Sequence, residues 1–159
     1  MKIAQYLVIP VIVALFAGAV YFLYLGQPVV CDLCGRPVHQ ETLYRIHLSD
    51  GQAKQACCPR CGLHFQQGRD DVVLLEVADF RTSELLDATQ AFYVEDSSVN
   101  MCYLDTPVHR HIEGIESTLA WDRCMPGLLA FESREDAEEF RSEKGGFIKT
   151  YNMLIKELL

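Results

Sequence analysis

Between Ile3 and Cys31 the chain has no charged side chain. A soluble helix that long needs a solvated face, so this stretch cannot be one. Ile3 to Leu25 would reach roughly 34 Å as a helix at ~1.5 Å per residue, enough to cross a hydrocarbon core of ~30 Å. Basic residues are scarce as well: 14 lysines and arginines stand against 22 aspartates and glutamates, and Lys2 is the only charge ahead of Asp32. The part beyond Gly26 is therefore one unit more negative than the whole chain's −8. Such a surface repels phosphate backbones and excludes nucleic acid as a partner. Tryptophan occurs once, at Trp121, where packing is its expected role. No βαβ pattern of the thioredoxin kind flanks a cysteine pair, which weighs against a thiol–disulfide oxidoreductase.

What the chain has in excess is cysteine, seven residues in 159. Cys31-Asp32-Leu33-Cys34-Gly35 and Cys58-Pro59-Arg60-Cys61-Gly62 are two CxxC pairs, each followed by glycine. Two cysteines three positions apart put both sulfurs on one ion when the chain turns tightly. Glycine after the second cysteine, here Gly35 and Gly62, supplies the left-handed backbone angle expected of such a turn. Between the pairs, Leu43 to Leu48 and Ala53 to Cys57 alternate around Asp50-Gly51, the signature of a β-hairpin. Pro59 fits the first turn of a helix that continues through Leu63, His64 and Phe65 toward Gly68. Knuckle, hairpin and helix N-terminus are the parts of a treble-clef zinc site. A hairpin accommodates a spacing longer than the roughly 15–20 residues usual between such pairs. The expected occupant is structural Zn²⁺ on Cys31, Cys34, Cys58 and Cys61, with Cys57 spare and able to replace Cys58. The alternative is two disulfides or one redox-active CxxC. Outside the cytoplasm a bound metal is what keeps so many thiols reduced.

A second sulfur-rich region runs from Met101 to Met125. Met101-Cys102 and Cys124-Met125 face each other across a loop-rich segment that carries His109 and His111. Thioether with thiolate is a soft donor set that selects Cu(I), since zinc rarely uses methionine. The competing role for these residues is packing, with the methionines filling gaps and the cysteines acting as small hydrophobes or one disulfide.

The organisation that follows is α+β. Residues 1–26 form a single-pass anchor, with Lys2 and the amino terminus inside and Tyr6, Tyr21 and Tyr24 near the two interfaces. Ala17-Gly18-Ala19 also resembles a signal cleavage site, but cleavage there would leave Val20 to Leu25 exposed. Residues 27–70 make a treble-clef-like module directly above the membrane. Residues 71–159 supply a mixed sheet and C-terminal helix packed with it as one domain: strands are predicted at Val72 to Val77, Ala91 to Val94, Gly127 to Phe131 and Phe147 to Tyr151. Thr82 to Ala88 reads as a turn region. Ser133 caps a helix through Ala137 and Phe140 that ends at Gly145-Gly146, and Met153 to Leu159 is a terminal helical turn or two. The last third carries no obvious chemistry and reads as scaffold.

Ala91-Phe92-Tyr93-Val94-Glu95, Leu129-Ala130-Phe131-Glu132-Ser133, Ala137-Glu138-Glu139-Phe140 and Gly145-Gly146, in that order, resemble the nitrous oxide reductase accessory protein family, NosL. Cys31-Asp32-Leu33-Cys34-Gly35 is similar to that family's CxxCG-Met opening, so the resemblance spans roughly Cys31 to Asn152. It implies an extracytoplasmic, membrane-attached Cu(I)-binding protein that hands copper to a cuproenzyme or its maturation machinery. It also implies a fold shared with the organomercurial lyases. Three departures stand out. Arg36 replaces the family's methionine, the Cys58/Cys61 pair lies outside the family pattern, and Pro28-Val29-Val30-Cys31 lacks the small residue that lipidation requires. A transmembrane helix would here replace the lipid. Cys102-Tyr103-Leu104-Asp105-Thr106 and Cys124 resemble the lyase's cysteines and proton-donating aspartate, but in the lyases that segment precedes the knuckle whereas here it follows.

The leading expectation is thus a membrane-anchored, periplasmic metal-handling protein. Cys31, Cys34, Cys58 and Cys61 hold zinc, while Met101, Cys102, Cys124 and Met125, with His109 a further candidate, exchange Cu(I). The alternative is an anchored zinc domain that binds another membrane protein and no copper. A carbon–mercury lyase is a remote third.

Overall fold

The computed structural model describes residues 12–18, 20–21, 29–99, 101–102, 108–112, 115–119 and 122–158. Its chain turns first at 31–36, makes a 3₁₀ turn at Gln40–Thr42, and enters the predicted hairpin: β1 (Tyr44–Leu48) against β2 (Ala53–Ala56), with Gly51 at φ +84° in the turn. Tyr44, Ile46 and Leu48 are buried, as the period-two alternation requires. On the other face Arg45 and His47 reach Glu76 at 3.4 and 2.7 Å. Helix α1 (Pro59–Gln66) follows at once and lies against β1 and β2. β3 (Val72–Ala78) pairs with the free edge of β1, and β4 (Leu85–Asp87) with β3, giving an antiparallel sheet in the order β2-β1-β3-β4.

A second antiparallel sheet, β8-β5-β9, is built from β5 (Phe92–Glu95), β8 (Leu128–Phe131) and β9 (Phe147–Thr150). Every residue of β8 is buried. A strand covered on both faces reads as a continuous apolar run, and here alternate residues feed two cores. Leu128 and Ala130 join the larger core with Tyr44, Tyr93, Leu154 and the cysteines. Leu129 and Phe131 join Val94, Ala137 and Phe140 beneath α2 (Arg134–Lys144), where Phe80, Phe131 and Phe140 pack with centroids 5.1–6.0 Å apart. Ser133 caps α2 by accepting the Asp136 N–H at 3.0 Å. Gly145 at φ +73° ends it. Helix α3 (Tyr151–Leu158) closes the chain. The larger core draws on both the cysteine-bearing segment and the C-terminal half.

Several local expectations give way. The Thr82 to Ala88 region contains β4, held to β3 by backbone pairing that three residues of sequence do not announce. The supposedly loop-rich segment contains the hairpin β6 (Val108–Ile112) and β7 (Ile115–Leu119). Gly35 has the left-handed angle, φ +74°, but Gly62 does not: it lies inside α1, and a Cβ there would meet Cδ1 of Tyr44 at 2.2 Å. Its role is close approach of helix to strand rather than turn formation. Residues 12–18 and 20–21 are helical, and their large apolar side chains are exposed. The rest of the predicted anchor lies outside the described residues, among which no helix is long and apolar enough to cross a membrane.

Candidate metal centre

Three segments deliver sulfur to one place. In the first, Cys31 N–H donates to Arg36 O at 2.8 Å and Gly35 N–H to Cys31 O at 2.9 Å, closing the knuckle, while Leu33 N–H points at Cys31 Sγ at 3.4 Å. Asp32 fastens this turn to β2: its N–H donates to Gln55 O (2.9 Å) and its Oδ2 accepts from Gln55 N–H (2.7 Å). The second segment is the junction of β2 and α1. Successive residues leaving a strand face opposite ways, so Cys57 and Cys58 part company. Cys58 becomes the N-cap of α1, its sulfur accepting the Cys61 N–H at 3.5 Å. The third segment brings Cys102 and Cys124 over the junction; Cys102 S–H reaches Cys57 O at 3.4 Å.

The sulfurs sort into two groups of four. Cys31, Cys34, Cys57 and Cys61 form one, Cys57, Cys58, Cys102 and Cys124 the other, and within each all sulfurs lie within 4.8 Å of one another. Cys31 to Cys61 is 3.8 Å, Cys34 to Cys57 3.5 Å and Cys57 to Cys124 3.7 Å. A tetrahedral ion with Zn–S bonds of about 2.3 Å has sulfur–sulfur edges of about 3.8 Å. These spacings suit a tetrathiolate ion and are far beyond the ~2.05 Å of a disulfide. None of the seven cysteines is joined in a disulfide. Chemistry and spacing of the donor set therefore both fit a thiophilic metal.

The electrostatics follow from this crowding. In the first group the Cys31 thiol is pushed well down by hydrogen bonds from Cys57 and Cys61. In the second, Cys124 is pushed well down by hydrogen bonds involving Cys102 and then Cys57. Cys57 and Cys58 are driven up by the same contacts with Cys102 and Cys124, Cys61 by those with Cys124 and Cys31, and Cys34 mainly by burial. Each group thus has one sulfur prepared as a thiolate. Arg36 stands between the groups: Nη1 donates to Cys102 O and to Asp122 Oδ1, both at 2.8 Å. Burial works against its charge, but Asp122 and then Cys124 hold it firmly protonated. Asp122 Oδ1 also accepts the Cys124 N–H at 2.9 Å.

The structure redistributes the residues that sequence alone had assigned. Cys57 joins Cys31, Cys34 and Cys61, and Cys58 joins Cys102 and Cys124. Met101 and Met125 are each 37% exposed, and Met101 lines a small cavity of about 10 Å³ with Cys58, Cys102 and Cys124. His109 and His111 lie on β6, whose side chains are outside the described residues, as is Asp105. The two groups differ in exposure. Cys34 is the half-buried member of the first group, and Cys61 of that group lines a cleft of about 530 Å³ with Asp32, His64 and Arg123, whereas Cys58, Cys102 and Cys124 are buried. Sequence reasoning missed Arg36 as a strut and Cys57 as a full member of the site. The adjacent Cys57-Cys58 pair was the available signal, because neighbours on a strand cannot face the same way.

No family model matches this chain, nor does any curated protein. Among solved structures it is similar to the crystal structure of the copper chaperone NosL from Shewanella denitrificans, with a TM-score of 0.57 and 18% identity over 78% of this chain and 87% of that one. At that identity the likeness is one of fold: the chain is a small mixed α+β protein with a NosL-like fold carrying a cysteine cluster.

Proposed function

We propose that this protein binds and hands on a soft metal ion, Cu(I) foremost, as an accessory protein to the maturation of a copper enzyme. The observation that carries the reading is the convergence of all seven cysteines, none of them in a disulfide, at one place in a NosL-like fold. Thiolate donors select Cu(I) and zinc over the harder divalent ions. The solved neighbour is a copper chaperone, which supports copper as the cargo and a binding role rather than an enzymatic one. In this reading residues 1–26 hold the domain to the outer face of the cytoplasmic membrane. Its partner is a copper-receiving enzyme or maturation complex in the same compartment.

Cys31, Cys34, Cys57 and Cys61 have the sulfur spacing of a zinc site, and Cys58, Cys102 and Cys124, with Met101 beside them, are the donors proposed for Cu(I). A second reading, a zinc-binding interaction domain without copper, is favoured by the burial of Cys58, Cys102 and Cys124, since a buried site exchanges slowly. An anaerobic Cu(I) titration of the full chain against a competing chelator, after metal analysis of the purified protein, separates the two. Retained zinc plus tight Cu(I) that is lost in a C102S/C124S variant supports the accessory role. Zinc with no Cu(I) bound beyond the chelator's reach leaves the interaction domain.

A further inference from the structure

We infer that the seven cysteines form one two-metal cluster, in which the Cys57 thiolate bridges both ions, rather than two independent sites. The inference rests on the metal-binding reading above and deepens it.

Two tetrahedra that share one corner need seven ligands, and the two groups share one member, Cys57, while using every cysteine of the chain once otherwise. No cysteine is left over, and each ion has four thiolates. Cys57 lies 3.5 Å from Cys34 on one side and 3.7 Å from Cys124 on the other, each close to the edge of a tetrathiolate site. Its side chain is fully buried. It is also fixed from behind, because its carbonyl accepts the Thr42 hydroxyl at 2.8 Å as well as the Cys102 thiol.

Sharing completes both coordination shells. Seven thiolates held separately give one four-coordinate and one three-coordinate ion, whereas a bridging Cys57 gives each ion four sulfurs. With metal–sulfur bonds of about 2.3 Å to a common sulfur, the ions lie at most about 4.6 Å apart. The first ion to bind therefore fixes Cys57 as a thiolate and orders a ligand of the second. Cargo in one half and a resident ion in the other would then share a ligand.

Cadmium-113 reports such a bridge, because two ¹¹³Cd nuclei joined through one sulfur split each other's resonances. The full chain in detergent, loaded anaerobically with ¹¹³Cd(II), should bind two ions and give two all-thiolate resonances coupled to one another. C57S should lose the splitting and bind the second ion at least tenfold more weakly, while C58S, which removes a terminal ligand, should keep it. Two resonances without splitting would overturn the bridge and leave two separate sites. One bound ion would overturn the cluster but leave the metal-binding reading intact, and no bound ion would remove both. Splitting that survives in C57S would assign the bridge to another sulfur and overturn the role given to Cys57. The wild-type spectrum decides the existence of the cluster even if C57S does not fold.

Discussion

Arg36 shows how much one side chain carries. From the knuckle it reaches across to Cys102 O and Asp122, and Asp122 in turn receives the Cys124 N–H. Arg36→Ala would leave a mostly buried carboxylate without its cation and free the Cys124 segment. A cost of about 1–3 kcal/mol is expected from the charged hydrogen bonds lost. Denaturant unfolding should show that loss, and metal affinity should fall more for the group containing Cys102 and Cys124 than for that of Cys31 and Cys34. Equal stability of R36A and wild type would show that the strut is dispensable. At Gly62 the expectation is steric: a Cβ set against the Tyr44 ring at 2.2 Å forces helix and strand apart. Gly62→Ala should cost about 1–3 kcal/mol, as overpacking does, read as a lower melting temperature. The same substitution at Gly18, which has open space around it, should leave the melting temperature unchanged.

At the scale of elements, β1 and β5 each bury a tyrosine completely, and each phenol hydroxyl has a fixed partner: Tyr44 donates to Gln66 Oε1 at 3.1 Å and Tyr93 to Ala88 O at 2.6 Å. Burial pushes both hydroxyls up, and the negative charge of Asp87 and of neighbouring phenolates adds to it at each. An acid whose folded pKa is raised stays protonated in the fold while the unfolded chain loses its proton. Its contribution is therefore complete below the ordinary tyrosine pKa of about 10 and is lost as pH rises from there toward the folded value. Stability should fall as pH rises above about 10. Tyr93→Phe should show a shallower fall by denaturant unfolding over that range; an identical slope would mean that Tyr93 does not titrate with unfolding. β8 teaches a related lesson. Its four apolar residues serve two cores at once, so a change at Leu129 is felt under α2 while one at Ala130 is felt beside the cysteines.

For the whole molecule, the two cores differ in their dependence on metal. The larger contains the buried cysteines with Cys34 packed against it, whereas the cluster of Val94, Leu129, Phe131, Ala137 and Phe140 contains none. Metal binding that orders thiolates is also folding free energy. Stripping the metal with a chelator should therefore speed amide hydrogen exchange in β1, β2 and α1 by orders of magnitude, while β5, β8 and α2 keep most of their protection. Uniform acceleration across both sheets would show that the two cores unfold as one. Uniform protection would show that the sulfurs hold the fold without any ion.

The sequence by itself determined the hairpin around Asp50-Gly51, the knuckle at Gly35, the helix opening at Pro59 and the Ser133 cap, because each depends on neighbours in the chain: a turn residue, a missing N–H, a capping hydroxyl. It also marked the cysteines as a donor set and suggested the NosL-like fold that the solved neighbour shares. Only the tertiary structure decided how the sulfurs are partitioned. Cys58 looks like the partner of Cys61 by spacing, yet the helix takes it as a cap and turns it toward Cys102 and Cys124, residues distant in sequence. Cys57, with no spacing to recommend it, lies between the two groups because β2 ends there and α1 packs Gly62 on Tyr44. Local rules say which residues can turn or bind; which sulfurs share an ion is set by how strands and helices pack, and that is a property of the whole fold.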